Sequence, residues 1–161
     1  MEALRMDADL YYRPDLFAAS VAVVILLSVL ALTLGGGVTT VVLSAGNGKI
    51  AVNGWNCVSA AGVSLTTTNV SKITITGTNA NEKVIFDSLP GSFGSTILST
   101  NGGVIVDMVS GNDSFMIRGT AGADTYKAGK SAAGDVYFDL TNDAKADIKV
   151  SNADTYSISL L

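Results

Sequence analysis

The stretch LFAASVAVVILLSVLALTL, Leu16 to Leu34, decides how the rest of the sequence is read. Its 19 residues carry no charge, and as a helix rising about 1.5 Å per residue they reach roughly 28 Å, close to the hydrocarbon thickness of a bilayer. The expectation is one N-terminal transmembrane α-helix. It divides the chain into a tail over 1–15, the span over 16–34, a Gly-rich and β-branched connector over 35–48, and an exported all-β domain over 49–161.

The flanks agree with a span. Tyr11 and Tyr12 precede it, as aromatic residues do at a headgroup interface, and Pro14-Asp15 offers a helix start. Arg5 and Arg13 lie before the span, with only Lys49 soon after it, which sets the N-terminus in the cytoplasm and the β-domain in a periplasm or outside the cell. The acidic n-region and the length of the apolar run favour an uncleaved signal-anchor over a signal peptide. Small residues at Ala18, Ala19 and Ala22 give the helix a close-packing face for docking on a neighbouring helix.

Working outward, the connector ends in VTTVVLS (38–44), which reads as a strand once Gly35-Gly-Gly37 has stopped the helix. Beyond Lys49, short alternating segments recur between Gly, Asn and Ser: 49–53, 72–76, 83–87, 95–99, 104–108, 114–118, 135–140, 147–150 and 155–160. These are expected to be strands of a β-sandwich or barrel, or of a short β-solenoid. Phe115, Tyr126, Tyr137 and Ile148 stand 11 apart, a spacing that suits stacked coils and hairpins of similar length alike.

Composition limits the chemistry. The 161 residues include one cysteine, Cys57, and no histidine, so an intrachain disulfide, a Cys/His zinc site and the usual Ser-His-Asp or Cys-His systems are excluded. A net charge of −4 with scattered basic residues argues against nucleic acid as a partner. The pairs Asp135/Asp139 and Asp143/Asp147 read as solvated turn and edge charges, because nothing predicts a pocket around them. No enzyme is expected.

One segment, Gly119-Thr-Ala-Gly-Ala-Asp-Thr-Tyr-Lys127, resembles a nonapeptide of the RTX, or haemolysin-type, calcium-binding repeat through Gly119, Gly122, Asp124 and Tyr126. That resemblance implies calcium as a cofactor, with Asp113 and Asp124 as its ligands. The overall layout, an apolar N-terminal helix before a Thr/Ser/Asn/Gly-rich β-head, is similar to that of archaeal pilins and implies a filament built from copies of the chain.

Three functions are therefore expected in turn. The first is a non-enzymatic, single-pass accessory subunit whose partners are the lipid bilayer and other integral membrane subunits, as in a photosynthetic or respiratory complex or a virion membrane. The second is a filament subunit, and the third a calcium- or glycan-binding surface module.

Overall fold

A computed structural model describes residues 22–26, 29–35, 37, 40–98 and 102–160. Within them the apolar run is not a helix. Ala22–Leu26 forms strand β1 and Val29–Thr33 forms β2, paired antiparallel. Among the described residues no helix is long and apolar enough to cross a membrane. The expected transmembrane helix is thus corrected over 22–26 and 29–33, and residues 16–21 and 27–28 of it lie outside the described residues.

The physical reason is visible in β2. An uncharged run rich in Val, Ile and Leu suits a bilayer-spanning helix and a β-strand equally, because apolar and β-branched side chains fit a pleated, half-buried surface as well as they fit lipid. Here Leu30 and Leu32, two residues apart, are fully buried and pair with Ile73 and Ile75 of the next coil. The membrane placement, with its cytoplasmic N-terminus and its periplasmic or extracellular β-domain, rested on the span and falls with it.

The remaining strands are β3 (Thr40–Gly46), β4 (Lys49–Val52), β5 (Trp55–Asn56), β6 (Lys72–Thr76), β7 (Lys83–Asp87), β8 (Val104–Asp107), β9 (Ser114–Arg118), β10 (Lys127–Lys130), β11 (Val136–Asp139), β12 (Ile148–Ser151) and β13 (Thr155–Ser159), with a short helix α1 (Gly94–Leu98). They build two mixed sheets. Sheet A runs β1-β2-β6-β8-β12-β11-β10, and sheet B runs β13-β9-β7-β3-β4-β5.

The centre of each sheet is parallel: β2, β6, β8 and β12 in sheet A, and β3, β7, β9 and β13 in sheet B. The chain therefore winds as four coils, each passing from sheet A to sheet B: a two-sheet β-solenoid. Hairpins lengthen it at the ends. β3 turns into β4 at Asn47-Gly48, and β4 into β5 at Asn53-Gly54, all four residues at positive φ, the two-residue turn whose twist suits an antiparallel pair.

Packing follows from register. Residues opposite each other on neighbouring strands share a face, so each sheet stacks its inward residues in rows. In sheet A these are Leu30-Ile73-Val104-Ile148 and Leu32-Ile75-Val106-Val150; in sheet B, Val41-Val84-Phe115-Tyr156 and Leu43-Phe86-Ile117-Ile158. Nearly all of them join one buried core. The sequence's 11-residue spacing is not the structural repeat. Lys83 pairs with Ser114, 31 residues on, and Ser114 with Thr155, 41 on, the difference being the inserted β10-β11 hairpin.

Candidate functional site

The first candidate is the corner where each coil turns from sheet A to sheet B. Asp113 is buried there, just before β9, and its Oδ1 accepts the Glu82 N–H of the preceding coil at 2.7 Å. Asp154 does the same one coil later, its Oδ2 accepting the Asp113 N–H at 2.8 Å. Asn81 Oδ1 accepts the Asn112 N–H, and the Ser110 hydroxyl donates to Asn79 Oδ1. The corner is a polar ladder in which side chains of one coil satisfy the backbone of its neighbour, as buried N–H groups require.

This corner holds one anomaly. Asp113 Oδ2 is buried without a hydrogen-bond partner. Burial pushes the Asp113 carboxyl above its ordinary range, with Glu82 and Asp154 adding to the effect and the Glu82 N–H opposing it. Glu82 is itself occupied: its carboxylate accepts the N–H and the hydroxyl of Thr78.

Asp124, the other residue implied by the calcium-repeat resemblance, lies elsewhere. Its Oδ2 accepts the Thr120 N–H at 2.9 Å and its Oδ1 the Thr120 hydroxyl, closing a local turn. Asp113 precedes β9 and Thr120 follows it, so at about 3.3 Å per residue the two carboxylates sit roughly 20 Å apart. Among the described residues no group of three or more His, Cys, Asp or Glu is arranged to hold a metal ion. The nonapeptide is a turn closed by its own aspartate. Tyr126 is half-buried, and that burial, with the Asp124 carboxylate beside it, pushes its phenol up to about 12.

The remaining carboxylates are structural as well. Asp147 Oδ2 accepts the N–H groups of Leu140 and Thr141, and Asp139 those of Asp143 and Ala144. Asp135 pairs with Lys149 at 2.9 Å. A shallow cleft of about 520 Å³ opens against β10 and β11 beside Lys127, Tyr137 and Asp139, but the Asp139 oxygens that face it are already used. Cys57 is buried, and burial pushes its thiol up to about 11, so it stays protonated and unreactive at neutral pH.

The proposed helix-docking face is corrected in its described part. Ala22 opens strand β1, while Ala18 and Ala19 lie outside the described residues.

The second candidate is the end of the solenoid, which sequence reasoning missed. In sheet A the last inward residues, Ile148 and Val150, are fully buried because β11 continues the sheet and lays Phe138 beside Ile148 and Val136 beside Val150. Phe138 in turn packs at a tilt against Phe115 and Tyr156, with ring centroids 5.6 and 6.4 Å away. In sheet B no described strand lies beyond β13. Ile158, which register places in the inward row behind the fully buried Ile117, is 42% exposed. Leu160 is exposed beside it.

The two C-terminal edges also differ in charge. β10, at the edge of sheet A, carries Lys127 and Lys130 in a four-residue strand that is exposed throughout. β13 and Leu160 (TYSISL, 155–160) carry none. Charged side chains, lysine above all, are how β-proteins keep an edge from pairing with another chain. β13 lacks that protection.

Comparison with known proteins adds one finding. A family model described as a bacterial signalling protein N-terminal repeat (MHYT) matches residues 1–48, less than a third of the chain; its described part covers β1, β2 and β3. No curated protein and no solved structure matches the chain. The expected likenesses to RTX repeats and to archaeal pilins are thereby corrected. The matching model is neither, Asp124 serves a local turn, and no long apolar helix precedes the β-region among the described residues.

Proposed function

We propose that this chain is a non-enzymatic structural module that joins a larger assembly by accepting a strand at the open edge of β13. One observation carries the reading: the inward row Leu43-Phe86-Ile117 continues to an Ile158 that is 42% exposed, on an edge strand without charge. Solenoids bury their core by stacking, and a terminal coil left apolar calls for a cap. A strand added beside β13 supplies both the missing backbone partners and the missing cover, the mode by which extended segments join exposed sheet edges.

The structural reading also agrees with the carboxylates Asp113, Asp124, Asp147, Asp139 and Asp135, which are spent on backbone N–H groups and an ion pair. Hydrogen exchange tests it. Protein isolated in its native assembly, compared with the same chain diluted to monomer, is expected to show slowed exchange over 155–160 and unchanged exchange over β10. Equal exchange over 155–160 in both states overturns the proposal.

A further inference from the structure

We propose that the strand received by β13 comes from a second copy of this chain, whose β5 edge continues sheet B so that copies join head to tail. The proposal rests on the open-edge reading above and names its occupant.

Four features of the molecule favour a second copy. The first is direction: β4 is antiparallel to β3, and β5 antiparallel to β4, so β5 runs parallel to β3, β7, β9 and β13. A β5 laid beside β13 along the solenoid axis continues the parallel pairing of the sheet.

The second is register. Val52 pairs with Leu43 and with Trp55, so one row crosses all of sheet B: Trp55-Val52-Leu43-Phe86-Ile117-Ile158. Its four middle members are buried, while its two ends, Trp55 at 58% and Ile158 at 42%, are exposed. End-to-end stacking puts the exposed tryptophan of one copy against the exposed isoleucine of the next and makes the row continuous.

The third is charge. Between Lys49 and Lys72 no residue is charged, and 155–160 is likewise uncharged. Both edges lack the lysines that mark β10. Val58 and Val63, exposed on the segment that follows β5, extend the apolar surface at that end.

The fourth is shape. Sheet A carries β11 and β10 beyond the last coil, and sheet B carries β4 and β5 before the first, so the ends are stepped in opposite sheets, like the halves of a lap joint. Sheet A also has β1 at its start, one strand or about 4.8 Å more. A flush joint on sheet B lifts β1, which pairs with β2 alone among the described strands, and the two steps then match at two strands each. Such a contact is heterologous: each copy keeps one free end, so association runs on as a fibre unless the rotation closes a ring.

The test uses the full chain and two edge variants, Ile158→Lys and Trp55→Lys, followed by light scattering across concentration. Both positions are exposed, and each variant is expected to keep the wild-type thermal transition, which checks folding. Wild-type protein is expected to grow in mass with concentration, and each variant alone to stay monomeric. Mixed in equal amounts, the variants are expected to form a dimer and stop, because each blocks a different end. A wild type that stays monomeric throughout overturns the head-to-tail proposal, while exchange over 155–160 in the native assembly still decides the open-edge reading separately. A block by Ile158→Lys with none by Trp55→Lys also overturns it, showing β13 paired with something other than β5.

Discussion

β12 and β13 belong to the same coil, yet β12 is sealed by β11 while no described strand lies beyond β13. Ile148 and Ile158 are both inward-facing isoleucines at the last parallel strand of their sheets; the first is fully buried and the second 42% exposed. Hydrophobic stabilisation scales with the apolar area removed from water, so the same residue type has different worth at the two positions. The edges beyond them differ in the opposite sense: sheet A ends on a strand with two lysines, sheet B on one with no charge. An edge that is sealed and guarded belongs to a finished surface, and one that is apolar and unguarded belongs to an interface.

The comparison can be broken most forcefully at the seal. Phe138→Ala removes the ring that covers the sheet A rows, and the expected cost is about 3–5 kcal/mol by chemical denaturation. A cost below about 1 kcal/mol would mean that β11 does not seal the end. Next in size, Ile148→Ala is expected to cost about 2–5 kcal/mol, while Ile158→Ala in the monomer costs less than about 1 kcal/mol because much of the side chain is already in water. Equal costs would erase the distinction between the two strands.

A smaller effect is expected at the corner that links β9 to β13. Burial raises the Asp113 carboxyl above its ordinary 3.8, so the folded chain holds this proton more tightly than the unfolded one. The favourable contribution is complete below 3.8 and is lost as pH rises through the raised value. Asp147 is raised by burial in the same direction. Asp113→Asn keeps an oxygen for the Glu82 N–H and cannot ionise, so thermal midpoints measured against pH are expected to fall less steeply above pH 3.8 than those of the wild type. An unchanged slope would remove Asp113 as a source.

The smallest effect on stability is expected at the guarded edge. Replacing Lys127 and Lys130 together by Ser is expected to change unfolding free energy by no more than about 0.5 kcal/mol, while raising the tendency of β10 to associate, read as light scattering at fixed concentration. No added association would mean that the lysines are not what keeps that edge single.

Much of the β-architecture was legible in the sequence. Of the nine segments expected beyond Lys49, 72–76, 83–87 and 114–118 match β6, β7 and β9, five differ from observed strands by a residue at one or both ends, and 95–99 falls on α1. That segment, STILS, has the β-branched composition of a strand, but Ile97 and Leu98 are buried together from a single helical turn. Asn47-Gly48 and Asn53-Gly54 were available as hairpin dipeptides and would have placed β3, β4 and β5 in one sheet, across the boundary drawn at residue 48.

Two things could not be read from one strand at a time. The stretch 22–33 is uncharged, and only the pairing of 29–33 with β6, Leu30 on Ile73 and Leu32 on Ile75, distinguishes a strand there from a span. The open edge is equally invisible locally, since TYSISL looks like any other strand until its neighbours are known to lie on one side alone. The lysines of β10 are in the sequence, but their meaning depends on β10 being an edge.

The most direct measurement uses the chain's single, buried cysteine as a silent background. Ser159→Cys places one reactive thiol on β13, and Gly129→Cys places one on β10, where a side chain meets nothing within 4 Å. Maleimide labelling of each variant is followed in dilute monomer and in the assembled state. Ser159→Cys is expected to label quickly as monomer and at least tenfold more slowly once assembled, with Gly129→Cys fast in both. Ser159→Cys labelling at the same rate in both states would contradict the assignment of β13 as the joining edge.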